Sequence, residues 1–165
     1  MFIRVDDGED KVNRFEMTYV DKERIKEMDI VIVSDYDKGF LDLALLKEIG
    51  ELSKLSILDS KRKLTEEVIN SFTFVKLNKS EASTNKHLAE LSNVIITLGA
   101  EGCSFSGITY PSPKPQDTID VSGAGDTFTA SFIMKYYETK YIELSLKYAN
   151  EMSSVVVSKR GVATP

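Results

Sequence analysis

The sequence predicts an α/β fold: three layers, αβα, around a mostly parallel sheet. Three observations carry this. Four short apolar runs, Ile30–Val33, Ser56–Leu58, Thr73–Leu77 and Val94–Thr97, have the composition of strands buried on both faces. Segments with helical spacing separate them, and that alternation builds open sheets covered on both sides. The runs end on polar residues, Ser34-Asp35, Asp59, Asn78 and Thr97-Leu98-Gly99. In such sheets the carboxyl edge is where ligands bind.

Taken in order, Asp6-Asp7-Gly8-Glu9-Asp10-Lys11 is charged and free of apolar residues, which predicts a mobile turn. Leu41, Leu45, Leu46 and Ile49 form one helical stripe, and Leu64, Val68 and Ile69 a second. Ala82, His87, Leu88 and Leu91 make a weaker third. The stretch from Gly102 to Pro115 alternates and carries Pro111, Pro113 and Pro115, so antiparallel edge structure is expected there. A helix follows from about Ala124 to Tyr137, with Phe128, Phe132 and Tyr136 on one side. A last one runs from about Ile142 to Val157, with Leu146, Ala149, Met152, Ser153 and Val156 inward and Gly161 as a stop signal. No repeat or linker divides the chain, so residues 1–165 read as a single domain.

Length and composition agree. A chain of 165 residues with 42% hydrophobic and 28% charged content has room for one ordinary core. The net charge of −5 and the lack of a basic cluster argue against nucleic-acid binding, and no apolar run approaches a membrane span. The single cysteine, Cys103, excludes an internal disulfide and suits a reducing cytoplasm; it reads as a plain strand residue. The lone histidine, His87, has no metal-ligand spacing around it and reads as a surface residue.

The segment Asp120-Val-Ser-Gly-Ala-Gly-Asp126-Thr127 carries the chemistry. A helix starting near Gly123 to Gly125 turns free amides and the positive end of its dipole toward whatever lies above, which favours an anion. Asp126 falls in the first turn, as a candidate base for a hydroxyl. A glycine-rich turn with a first-turn acid is the plainer reading, and spacing alone leaves both open.

Asp-x-x-Gly-Ala-Gly-Asp-Thr resembles the signature of the PfkB, or ribokinase-like, carbohydrate kinases; serine at position 122 replaces a frequent threonine. The resemblance implies that Asp126 is the catalytic base and that Gly123, Ala124 and Gly125 form the anion hole. It also implies ATP as phosphoryl donor, Mg²⁺, and a sugar or sugar phosphate as acceptor. Asn78-Lys-Ser-Glu81 resembles the family's Asn-x-x-Glu motif, with Asn78 on the nucleotide side and Glu81 holding Mg²⁺ through water; Mg²⁺ keeps most of its hydration. Alone, the same pair is an N-cap with a capping box. Thr97-Leu-Gly99-Ala-Glu-Gly102 is similar to the segment beside the nucleotide, or is an ordinary tight turn. Asn150 matches an asparagine near the adenine, or is a solvent-facing helix residue. The tail Val157-Ser-Lys-Arg-Gly161-Val-Ala-Thr resembles the loop that, with Asp120, holds a monovalent cation such as K⁺.

Ser34-Asp35-Tyr36-Asp37-Lys38-Gly39 is similar to the branch that phosphorylates D-glycero-D-manno-heptose 7-phosphate, which makes Asp35 and Lys38 candidate substrate residues. Asp59-Ser60-Lys61 resembles that branch's Asp-Pro-Lys. A solvated lysine beside an N-cap is the alternative.

The resemblance starts in the middle of the family. The other half, with the first strands, a β lid and most sugar-binding residues, finds no counterpart; only Phe2–Val5 and Phe15–Val20 precede Asp29. Missing strands leave an open sheet edge, which an N-terminal kinase half or a homo-oligomer would cover. Two readings follow: the nucleotide half of a sugar kinase, or a non-catalytic nucleotide-binding or interaction module. A nicotinamide-binding domain is disfavoured, because no Gly-x-Gly-x-x-Gly follows the first strand.

Overall fold

The computed structural model describes residues 14–113 and 123–158. Six strands form one sheet in chain order: β1 Val31–Asp35, β2 Ser56–Ser60, β3 Phe74–Asn78, β4 Val94–Thr97, β5 Cys103–Phe105 and β6 Ile108–Tyr110. The first four are parallel, as their apolar runs predict, and β5 and β6 add an antiparallel hairpin. Ser106 and Gly107 turn that hairpin with positive φ (49° and 77°), which matches the twist of the strands it joins.

The helices are α1 Tyr19–Glu27, α2 Leu43–Leu52, α3 Glu66–Ser71, α4 Lys79–Thr84, α5 Ala124–Thr139 and α6 Ile142–Val157. Caps set where several begin. Asp42 accepts from Leu45 N (2.7 Å) and Thr65 from Val68 N (3.4 Å). Leu41 and Leu64 therefore precede the helices whose stripes they extend, although both still pack on the core. The third stripe breaks at Asn85, which is fully buried: its Oδ1 accepts Leu64 N (2.8 Å) and its Nδ2 donates to Glu81 O (2.9 Å). A side chain that bonds across to another loop ends α4 at Thr84, so His87, Leu88 and Leu91 follow it in turns. Helix α1 lies outside the sequence expectation. Its capping box, Thr18 with Asp21, was legible, but none of its residues is buried and so no apolar stripe marks it.

Alternation along each strand divides the core in two. Val33, Leu58, Val75, Leu77 and Val94 face α2 and α3, where Leu46, Ile49, Val68 and Ile69 meet them. Ile57, Phe74, Ile95, Cys103 and Phe105 face α5 and α6. There Phe74 meets Phe132 edge-on at 4.9 Å and Tyr136 at 4.8 Å, fixing α5 over the middle of the sheet. Each fully buried Leu, Ile or Phe contributes about 1.5–3 kcal/mol relative to exposure. This packing holds the first turn of α5 above the ends of β2 and β3. Among the described residues no helix is long and apolar enough to cross a membrane. The charged segment at residues 6–11, Phe2–Val5, Pro115, Asp120 and the tail beyond Ser158 lie outside the described residues.

Candidate functional site

The carboxyl ends of β1, β2 and β3 deliver Asp35, Asp59 and Asn78 to one edge, where they border a cleft of about 170 Å³. Glu81 lines it from the first turn of α4, and Gly125 and Asp126 from the first turn of α5; Tyr36 and Lys61 stand at its side. The sequence candidates Asp126, Gly125, Asn78, Glu81 and Asp35 are thus brought together.

Helix α5 begins with Gly123 at the N-cap, and no side chain caps this end. The amides of its first turn therefore have no intrahelical acceptor, and the positive end of a sixteen-residue dipole meets the cleft. Directly beneath sits Lys76. A Cβ added at Gly125 would lie 3.3 Å from Lys76 Nζ, so the glycine leaves room for the ammonium to approach the helix. Lys76 is 5% exposed and pairs with Asp59 (Nζ to Oδ2, 2.8 Å), its register partner on β2. Thr129 Oγ1 completes the cluster, 3.3 Å from Asp59 Oδ2 and donating to Gly125 O at 3.0 Å. The helix terminus and the Asp59-paired ammonium thus meet at one small volume, with Asp126 exposed at its rim. Lys76 was missed by sequence reasoning. Its signal was a lysine at an inward position of an apolar strand, Phe74-Val-Lys-Leu-Asn78, where a charge needs a partner to be buried.

Asn78 and Glu81 do form the capping box. Asn78 Oδ1 accepts Glu81 N (2.9 Å) and Glu81 Oε2 accepts Asn78 N (2.7 Å). The box does not withdraw them, since both still line the cleft. Thr97 lies beside Asn78 in register on the same edge, beyond the cleft wall. The residues after it form a single 3-10 turn, Gly99–Glu101, closed by Leu98 N to Gly102 O at 2.7 Å. Gly102 is demanded by packing: a Cβ there would stand 2.1 Å from Tyr110 O.

Asn150 is neither in the cleft nor solvent-facing. It is 4% exposed, and its Nδ2 donates to Tyr110 O (2.8 Å), tying α6 to the hairpin. It also bonds Cys103, whose thiol burial pushes up to about 12 against the opposing effect of that bond. Such a thiol is inert, as its strand reading predicts. Asp35 is buried and already engaged by Arg62 and Ser60. Lys38 follows on the β1–α2 loop and is not among the residues that line the cleft. Asp120, the cation candidate, lies outside the described residues.

A mostly parallel sheet with an uncapped glycine helix, an aspartate and a buried lysine at its carboxyl edge has the layout of a phosphoryl-transfer enzyme. The chain belongs to the pfkB family of carbohydrate kinases, whose model matches residues 8–165. It is 32% identical to the bifunctional protein HldE of Helicobacter pylori strain J99, over 86% of this chain and 36% of that protein. It is 31% identical to the HldE of Nitratiruptor sp., over 85% of this chain and 34% of that protein. In fold it is similar to Arabidopsis thaliana ribokinase complexed with ribose and ATP, with a TM-score of 0.73 and 22% identity, over 88% of this chain and 55% of that one. The chain therefore spans about a third of its curated relatives and about half of that ribokinase.

Proposed function

We propose that this chain is the nucleotide-binding and catalytic part of an ATP-dependent kinase acting on a sugar or sugar-phosphate hydroxyl, of the heptose 7-phosphate kind. The carrying observation is the convergence of the uncapped α5 terminus, Asp126 and Lys76 on one cleft. In this reading Asp126 takes the proton from the acceptor hydroxyl. The amides of Gly123, Ala124 and Gly125 stabilise the charge that develops on the phosphoryl group in transfer. Lys76, held by Asp59, adds a fixed positive charge beneath that helix end without reorganising. Thr97, Gly99 and Gly102 border the nucleotide along the same edge, and Asn150 acts through the hairpin it secures.

Among the described residues no group of three or more His, Cys, Asp or Glu could hold a metal ion. That fits Mg²⁺ rather than excluding it, because Mg²⁺ keeps several waters and takes one or two carboxylates plus phosphate oxygens. Glu81, with Oε2 committed to the Asn78 amide, would reach it through water. When bound, the metal would neutralise charge on the phosphates. K⁺ beside Asp120 enters the proposal only through the family resemblance, and a cytoplasmic site of action only through the single cysteine, which suits a reducing compartment.

The acceptor side is expected from elsewhere, either an N-terminal kinase half or a second copy, since the relatives are longer and, among the described residues, no strand pairs with the outer side of β1. Supplied with the N-terminal half of a related sugar kinase, the chain should transfer phosphoryl groups from MgATP to heptose 7-phosphate; alone it should stay near background. Asp126→Asn keeps the shape and removes the base, so the restored rate should drop on the order of 10²–10⁴ fold. Full activity in that variant would remove Asp126 from its role, and calorimetry showing no MgATP binding to the wild type would remove the kinase reading.

A further inference from the structure

The loop between β1 and α2 starts at Asp35 and ends at the N-cap Asp42, and one guanidinium spans it. Arg62 Nε donates to Asp35 Oδ2 at 2.5 Å, and Nη2 to Asp35 Oδ1 at 3.0 Å and to Leu41 O at 2.8 Å. The same Nη2 lies 3.2 Å from Asp37 Oδ1. The start, middle and end of the loop thus converge on one planar cation. The pair is shielded: the Arg62 side chain is 11% exposed and that of Asp35 4%.

Further bonds keep both partners in place. Asp35 also accepts from Ser60 Oγ (2.8 Å) and from Asp37 N (3.1 Å), and Lys61 N donates to Asp35 O (3.0 Å). Asp37 itself has φ of 56°, a left-handed conformation that a non-glycine residue keeps only when its surroundings hold it. Arg62 N donates to Ser60 Oγ (3.3 Å), and Arg62 O accepts from Asn85 Nδ2 (3.4 Å). Asn85 caps the far end of α4, the helix whose first turn carries Glu81. On the cleft side, Tyr36 is stacked under Lys61, whose Nζ is 4.1 Å from the ring centroid.

Resting on the kinase reading above, we infer that Arg62 is a positioning residue for the acceptor. It locks the loop that carries Lys38 and holds Tyr36 as a fixed wall of the cleft, tied to the end of α4 through Asn85. The role belongs to the guanidinium fork, since a lysine would keep the charge and lose the simultaneous contacts to Asp35, Asp37 and Leu41.

The test compares the wild type, Arg62→Lys and Arg62→Ala, each supplied with the N-terminal half of a related sugar kinase, by calorimetry with MgADP and with D-glycero-D-manno-heptose 7-phosphate, alongside hydrogen–deuterium exchange and thermal melting. The expected result for Arg62→Lys is faster exchange confined to residues 36–41, unchanged MgADP affinity, and sugar-phosphate affinity lower on the order of 10–100 fold, the scale of a misplaced binding wall. Arg62→Ala should do the same more strongly; if it does not fold, Arg62→Lys decides. Equal sugar-phosphate affinity in Arg62→Lys would overturn the inference, and so would a wild type that binds MgADP but not the sugar phosphate. A parallel loss of both ligands with a lowered melting temperature would also overturn it, leaving a merely structural ion pair. A wild type that binds neither ligand would overturn the kinase reading, whereas faster exchange at 36–41 would then still support the clamp itself.

Discussion

At one edge of the sheet, β6 is only three residues long, follows the turn at Ser106-Gly107 and runs into Pro111; at the other, β1 presents five residues that, among the described residues, pair on one side only. Short length and a following proline blunt the first edge against further pairing. The β1 edge has no such device among the described residues. Val33 and Asp35 are buried under α2 and the loops, but Ile32 on the opposite face is 46% exposed, and Tyr36 and Phe40 beyond the strand are 47% and 51% exposed. Parallel strands are normally covered on both faces. The two edges thus differ in how far the described residues close them: the hairpin ends the sheet by its own short strand and proline, whereas the β1 edge leaves apolar side chains in water.

Breaking the finished edge should cost the most. Gly102→Ala forces a Cβ against Tyr110 O at a φ of 99°, so a loss on the order of 3 kcal/mol is expected in a urea melt. A near-neutral result would mean that the hairpin is not held as described.

Gly125→Val attacks the site between the two edges. The added carbons crowd Lys76 Nζ and the first-turn amides, and MgATP affinity should drop about tenfold or more with little change in melting temperature. Equal affinity in calorimetry would detach nucleotide binding from this helix end.

A pH experiment probes the finished edge from inside. The Cys103 thiol is neutral in the folded state up to about pH 12, against a value of 9.0 for the free group. Below pH 9 both states hold the proton, so nothing is contributed. Above it only the unfolded chain ionises, so stability should fall as pH rises, by up to about 1.4 kcal/mol per pH unit. Urea melts at about pH 8 and about pH 10 should show this slope as the difference between wild type and Cys103→Ala, since other groups titrating near pH 10 are common to both.

The smallest effect belongs to the open edge. Ile32→Lys should leave the stability of the isolated chain within about 0.5 kcal/mol, because its side chain is half in water already. It should nevertheless weaken association with a complementing half or with a second copy, measured by sedimentation. A large loss of stability in the isolated chain would show that β1 is covered after all.

Much of this was readable along the chain. The apolar runs placed β1 to β4 within a residue or two, the aromatic spacing placed α5, and the glycine motif pointed to the helix end that faces the cleft. These features are local: strand burial, helical period and turn conformation are written in neighbouring residues. What local pattern could not convey was which polar residues would spend their groups on one another. Asn85 ends α4 by bonding Leu64, Asn150 serves the hairpin through Tyr110, and Arg62 occupies Asp35, each across 20 or more positions of sequence. Lys76 was visible only as a charge in an apolar strand until Asp59 and Gly125 were brought beside it. The sequence by itself determined the layers and the candidate chemistry, because both rest on periodicity and short motifs. Only the tertiary structure decided the site's membership, because a buried polar group is satisfied by whatever the fold brings within about 3 Å, and that is a property of packing rather than of order along the chain.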